Sequence, residues 1–458
     1  MNTLIALSGL GLITLFSEIF SFKKLIRPII FLGLVTALIF SISDWNTNQS
    51  LFNNMILVDN YAVAFSTLLI GLTIVWFLLS NNVFLEGATE VDHSALVVFA
   101  LIGAVCMTMY SNMIMLFLGI EILSISLYVL AGSDKTNLSS NESAIKYFLM
   151  GAFATGFLLF GIALTYGATG SFSLTAIGDA VASGGNTNSA MLTAGMFLLL
   201  IAMSFKVSAA PFHFWAPDVY QGAPTAVTAF MSTVVKTAAF AAFLRLFATI
   251  FASNTDVWST TLWAIAALTI LLGNIAAAAQ ENIKRMLAYS SVAHAGYLLL
   301  AILSMNQLAA GAMFFYVVAY SVSSLLAFFI LLIVSQKTGT DTISGFKGLF
   351  KTHPVLAILT VIAMLSLAGI PPTAGFFAKY FIFTAALDAG YIGLVVLAVA
   401  GSLVGVYYYF RPLMAVFSPT EETEGPIVNP STVVLLVILA AASLLLGASP
   451  RLISGLLG

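Results

Sequence analysis

The sequence predicts an all-α polytopic membrane protein, and three observations carry the prediction. Hydrophobic residues make up 60% of the 458 and charged residues only 7%, against roughly 25% charge in a soluble domain. The mean hydropathy is +1.06, and apolar runs of about 20 residues, the length that crosses a bilayer, recur from end to end. The basic residues, in addition, gather in alternate connections. A soluble globule must turn a polar shell to water, so a soluble enzyme, a nucleic-acid binder and a disordered scaffold are all excluded. A β-barrel is excluded as well, because its strands alternate polar and apolar residues in segments of ~10.

Fourteen apolar spans follow in order, at 2–20, 26–43, 60–80, 94–110, 112–131, 143–167, 190–210, 225–250, 257–278, 285–303, 308–334, 355–386, 390–411 and 431–448. The first begins at Asn2 and carries Glu18 with no cleavage motif before Lys23, so it reads as a retained span and not a signal peptide. The longest connections, 44–59, 168–189 and 412–430, are of loop size, and Gly, Ser and Asn dominate the second.

Orientation follows from Lys and Arg in short loops. Lys23, Lys24, Arg27, Lys135, Lys284, Arg285, Lys337, Lys347, Lys351 and Arg411 all fall after odd-numbered spans. The loops after even-numbered spans hold none, leaving Arg451 alone on that side. Ten against one supports the span count, since a missed helix would scramble the alternation. Both termini are then expected on the periplasmic side of a bacterial inner membrane. The net charge of −2 says nothing about partners. One cysteine, Cys106, excludes an internal disulfide or a cysteine-ligated cluster. The four histidines, His93, His213, His294 and His353, lack metal-ligand spacing.

With the loops subtracted, Glu18, Glu121, Lys146, Lys206, Lys236, Arg245 and Lys379 remain within or at the edges of spans. A charge at mid-bilayer costs ~2.5–3.5 kcal/mol on insertion scales and normally faces the protein interior. Glu18 and Arg245 lie within two turns of span ends, where snorkelling accounts for them. Glu121, in MIMLFLGIEILSISLYVLA (113–131), has eight residues of its span before it and ten after, and reads as functional. Lys206, Lys236 and Lys379 are equally deep. A static ion pair could fix one of them, but three amines against one deep carboxylate cannot all be neutralised in pairs. An amine without a counter-charge in a low-dielectric interior holds its proton less firmly, and such a group can take up and release a proton as a neighbouring charge changes. Lys146, a turn into span 6, either snorkels or pairs with Glu121 on the adjacent helix.

Two spans are interrupted. Span 7 runs SFKVSAAPFHFWAPDVYQGAP (204–224), with Pro211 five residues after Lys206, and span 12 runs LSLAGIPPTAGFFAKYFIF (365–383), with Gly369, Pro371 and Pro372 before Lys379. Proline deletes a helical hydrogen bond, which hydrocarbon tolerates only where protein or water satisfies the freed groups. Matching breaks in two halves point to an ion pathway at a repeat interface. The breaks lie five spans apart, and an odd repeat must be inverted in the membrane. The expected organisation is three N-terminal helices (1–93), a five-helix repeat (94–251), a second, inverted five-helix repeat (256–417) and a C-terminal helix (418–458). Lys206 precedes its break and Lys379 follows its own, which suggests one half-path from each aqueous phase. His294 in span 10 is read as a relay member between them, although a lone intramembrane histidine is often only hydrogen-bonded. His213, Asp218 and the rest of 211–224 are loop or re-entrant, and serve structure equally well.

Three strings, PFHFWAPDVYQGAPTAVTAF (211–230), NIKRMLAYSSVAHAGYLL (282–299) and SLAGIPPTAGFFAKY (366–380), resemble the antiporter-like subunits of respiratory complex I and the related Mrp-type cation/proton antiporters. The resemblance covers nearly the whole chain, and PDVYQGAPT, SSVAHAGY and AGIPPTAGFFAKY are most similar to the N-type branch. The long lateral C-terminal helix of the L-type branch is not expected here. By motif, the resemblance places Glu121 on the family's helix 5 glutamate and Lys146, Lys206, Lys236 and Lys379 on its lysines of helices 6, 7, 8 and 12. It implies that Glu121 and Lys206 form a charge pair coupled to a neighbouring subunit and that Lys236 and Lys379 pass the proton across. It also implies no cofactor in this chain, with NADH, FMN, iron–sulfur clusters and a quinone used by other subunits. The partners it implies are the other membrane and peripheral subunits and the bilayer. No NADH-binding motif occurs here, neither a Gly-rich turn opening a soluble helix nor cluster cysteines. An Mrp-type Na⁺/H⁺ antiporter subunit and a purely structural subunit are the alternative readings.

Overall fold

The computed structural model describes residues 1–17, 25–80, 90–183, 189–421 and 424–457. Glu18, Lys23, Lys24 and the stretch 81–89 lie outside the described residues. The chain folds as helices α1 (Asn2–Phe16), α2 (Ile26–Ser43), α3 (Asn60–Ser80), α4 (Glu90–Met109), α5 (Met113–Ala131), α6 (Leu138–Thr169), α7 (Leu174–Ser183), α8 (Ser189–Lys206), α9 (Trp215–Gly222) and α10 (Thr225–Phe230). There follow α11 (Lys236–Ile250), α12 (Thr255–Ala278), α13 (Ile283–Ser304), α14 (Ala309–Thr338), α15 (Leu349–Thr352), α16 (Pro354–Ala368), α17 (Ala374–Asp388), α18 (Ile392–Val416) and α19 (Pro430–Ala448).

Among the described residues, 12 helical spans are long and apolar enough to cross a membrane. Each coincides with one of the fourteen expected spans. The remaining two expectations differ in form. The first span is helical over Asn2–Phe16, where the described stretch closes. The twelfth is two 15-residue helices, α16 and α17, divided at 369–373.

Local chemistry sets the ends of these helices. Asn112, Asn137 and Asn282 cap α5, α6 and α13 by accepting from the backbone N–H of Ile114, Ser139 and Arg285, satisfying donors that have no partner in the first turn. Pro354 and Pro430 open α16 and α19, where a missing N–H costs nothing. Helices α4 and α5 pack through facing glycines, Gly103 and Gly119, because van der Waals contact is what holds helices together in lipid.

Two connections carry structure beyond the expected loops. Residues 44–59 contain an antiparallel hairpin, β1 (Gln49–Leu51) with β2 (Ile56–Val58), in the register Gln49↔Val58, Ser50↔Leu57, Leu51↔Ile56. Its turn uses positive φ at Phe52, Asn53 and Asn54; asparagine tolerates that region better than most residues. Residues 168–189, expected as a loop, contain α7, which buries Leu174, Ile177 and Val181 along one face.

The chain forms two compact units that interleave in sequence. The first comprises 1–207 and 234–260 and the second 208–233 and 261–456. In the first, α11 packs on α3, α4, α7 and α8. In the second, α9 packs on α13 and α10 on α14, and α14 also meets α16, α17 and α19. Helices α13 and α14 are buried almost throughout. By contrast, α6 exposes Phe148, Leu149, Phe153 and Phe160, as a surface solvated by hydrocarbon requires.

Candidate functional site

In the first unit, α5 places Glu121 and Ser124 three residues apart, on one face. The Glu121 carboxylate accepts from the Thr155 hydroxyl of α6 at 2.7 Å. Lys206 is the last residue of α8, where the final carbonyls of a helix favour a cation, and its amine donates to Ser124 Oγ at 2.7 Å. The carboxylate and the ammonium also act on each other electrostatically. Ser124, Tyr128, Tyr147, Thr155 and Lys206 line one cleft, and both charged residues are half-buried. The Ser124 hydroxyl itself donates to the Ile120 carbonyl, so Glu121 and Lys206 border one cleft with separate hydroxyl partners, Thr155 and Ser124.

Lys146, expected either to snorkel or to pair with Glu121, has a partner on its own helix. It ion-pairs at 2.6 Å with Glu142, one turn earlier on its own helix, because residues four apart on a helix face meet directly. Lys236 is buried and opens α11 directly after a π-helical turn, Met231–Val235. Such wide turns are rare and gather at functional sites.

Arg245 does not snorkel. It is buried and donates to Asp59 at 2.7 Å, with its guanidinium 4.9 Å from the Tyr61 ring. Asp59 also caps α3 by accepting from Ala62 N–H. The two partners stand 186 residues apart in sequence, and nothing local in either stretch announces the pair.

In the second unit, the segment 208–214 and α9 form the first break. The freed Ala210 N–H donates to the Thr269 hydroxyl at 2.8 Å. His213 is buried there against Phe214. Asp218 pairs with Arg285 at 2.8 Å, and Arg285 also donates to Gln221. Lys284, assigned to a cytoplasmic loop from the sequence, is instead buried in the first turn of α13 and donates to the Ala223 carbonyl at 2.5 Å. It drops out of the loop count, which becomes nine against one.

The second break lies between α16 and α17. Gly369 ends α16 at φ +84°, and a Cβ there would lie 2.7 Å from Lys379 Cδ. Glycine is therefore required twice over, for the left-handed turn and for the approach of the amine. Lys379 is buried in the second turn of α17 and donates to the Ala368 carbonyl at 2.6 Å and to Ser402 Oγ at 2.7 Å. It thus folds back onto the carbonyl end of the half-helix before the break.

His294 is buried in α13. Its Nδ1 lies 2.5 Å from the Tyr316 hydroxyl and its Nε2 3.2 Å from that of Tyr409, which donates to Ser290 at 2.8 Å. Since the single Tyr409 proton is turned to Ser290, its oxygen accepts from Nε2–H and Nδ1 accepts from Tyr316. Sequence reasoning misses these partner tyrosines; three adjacent tyrosines, Tyr407, Tyr408 and Tyr409, near the end of an apolar span are the available signal. Among the described residues no group of three His, Cys, Asp or Glu is placed to hold a metal ion.

The family described as NADH:quinone oxidoreductase/Mrp antiporter, TM, matches residues 111–405. The NADH-quinone oxidoreductase subunit N of Cytophaga hutchinsonii is 45% identical over 457 residues, covering 99% of this chain and 98% of that one. Among solved structures, a chain of respiratory complex I from Thermus thermophilus is 34% identical with a TM-score of 0.85, covering 99% of this chain and 98% of its own. A chain of the Mrp complex from a Dietzia species has a TM-score of 0.88 at 20% identity, covering 99% and 95%. The last likeness is one of fold.

Proposed function

The chain belongs to the NADH:quinone oxidoreductase/Mrp antiporter membrane family, and on that premise we propose that it is the N-type, proton-translocating membrane subunit of a bacterial NADH:quinone oxidoreductase. Hydride oxidation, electron transfer and quinone reduction belong to other subunits of the complex, which hold the NADH, FMN, iron–sulfur clusters and quinone. The chain is multi-pass in the inner membrane with both termini on the periplasmic side, and residues 94–251 and 256–417 are inverted repeats of five helices.

The observation that carries the proton reading is the retention of one carboxylate and three amines inside apolar helices, two of the amines at helix breaks. Glu121, Lys146, Lys206, Lys236, His294 and Lys379 form the relay. A change of charge in a neighbouring subunit acts on Glu121, alters its hold on Lys206, and drives a proton by way of Lys236 and His294 to Lys379. Each step needs a group that accepts a proton at one moment and gives it up at the next, which amines and imidazole do.

An Mrp-type antiporter subunit shares the fold, so the test is one of company. A tagged chain purified from its own membranes is expected to bring NADH:quinone oxidoreductase activity with it. Co-purification with sodium/proton exchange and no NADH oxidation would assign it to the antiporters instead.

A further inference from the structure

Beside Lys379 and His294 lie two hydrogen-bonded arms of buried side chains that differ in chemistry, although their rings touch at Tyr408–Tyr409 and at Tyr297–His294. The arm of His294 runs Ser290, Tyr409, His294, Tyr316. Every member is a hydroxyl or an imidazole, able to accept a proton on one atom while releasing one. The arm beside Lys379 runs from Tyr408, which donates to Asn274 Oδ1 at 3.2 Å, through Asn274 Nδ2, which donates to the Tyr297 hydroxyl at 3.0 Å and to the Ile270 carbonyl at 2.8 Å. The Tyr297 ring then lies 5.4 Å from Lys379 Nζ.

Asn274 decides what this second arm can do. Its amide is a donor at nitrogen and an acceptor at oxygen, and passing a proton through it would require the high-energy imidic acid form. It therefore blocks transfer between Tyr408 and Tyr297 while fixing both. The ring it holds faces an ammonium within the ~6 Å over which a cation is attracted to an aromatic face. The surroundings are shaped for this. A Cβ on Gly401 would fall 2.9 Å from Asn274 Nδ2 and 3.3 Å from the Tyr297 hydroxyl. The next residue, Ser402, accepts from Lys379.

We propose that Asn274, Tyr297 and Tyr408 are positioning residues that hold an aromatic face against the Lys379 ammonium and do not conduct protons, and that conduction on this side runs through the arm of Ser290, Tyr409, His294 and Tyr316. This rests on the relay reading above. Matched substitutions separate the arms, because Tyr→Phe removes a hydroxyl and keeps the ring. The assay is protons pumped per NADH oxidised by the assembled complex in proteoliposomes, with assembly checked on a native gel.

Tyr409→Phe cuts a conducting arm and is expected to lower pumping about tenfold, whereas Tyr297→Phe keeps the ring and costs at most about twofold. Tyr297→Leu removes the cation–π partner and is expected to lower pumping about fivefold to tenfold in a complex that still assembles. The pH profile of pumping is expected to shift in Tyr297→Leu and not in Tyr297→Phe, a readout that loss of packing alone would not move. An equal, large loss in Tyr297→Phe and Tyr297→Leu would overturn the proposal and make the Asn274 arm conducting. A fully active Tyr297→Leu would overturn the positioning role. Lys379→Ala is run alongside, and full pumping in that variant would sink the underlying relay reading, a failure distinct from either outcome at position 297.

Discussion

Lys206 and Lys379 both attach to the carbonyl end of a half-helix at a break, yet they are held by different means. Lys206 ends its own helix, half-buried, with the Ser124 hydroxyl as its partner and a carboxylate acting on it. Lys379 comes from the half-helix after its break and is buried against a carbonyl, a hydroxyl and an aromatic face, all of them neutral. The first amine has a charge acting on it, which on the proposed reading another subunit alters. The second sits among fixed dipoles and has no charged partner among these contacts. That difference suits one end of a relay that receives a signal and another that passes a proton on.

The largest effect expected from breaking this picture is structural. Asp59→Asn keeps the cap of α3 but leaves the Arg245 charge buried without its counter-charge. Breaking a buried pair costs ~3–5 kcal/mol, and with Asp59 partly exposed we expect roughly 2–4 kcal/mol, read as a lowered unfolding temperature of the purified complex. The pair lies outside both lysine sites, so pumping per NADH in the surviving complex should hold.

Next in size, Glu121→Gln removes the charge and keeps the hydrogen bond to Thr155. We expect pumping to fall about tenfold, in line with the ~1.4 kcal/mol that a tenfold change represents. Ser402→Ala, by comparison, removes one of two acceptors of Lys379, worth ~1 kcal/mol, and should lower pumping a few-fold. A reversed order would mean that Lys379 is the charge-responsive amine. The smallest effect belongs to Glu142→Gln, which breaks an exposed i,i+4 pair worth ~0.3–0.5 kcal/mol and should leave the unfolding temperature of the complex nearly unmoved.

Much of this was legible in the sequence, for one physical reason. A bilayer makes charge and broken backbone expensive, so Glu121, Lys206, Lys236, Lys379, Pro211 and Gly369 stand out wherever they occur. What was not legible depends on partners far apart in the chain. Arg245 looked like a snorkelling residue because Asp59 is visible only in space. Lys284 looked like a loop residue because a span edge carries no mark of burial. Asn274, a lone amide in the apolar run LLGNIAAAA (271–279), was the overlooked signal for the arm beside Lys379. The hairpin and α7 hid in stretches whose Asn, Gly and Ser read as loop.

The central claim is that the buried amines move protons. Its most direct measurement is the proton gradient formed per NADH oxidised in inverted membrane vesicles carrying Lys206→Ala or Lys379→Ala. We predict a gradient reduced to a small fraction of wild type in a complex that still assembles. Normal NADH:quinone turnover with an undiminished gradient would contradict the relay.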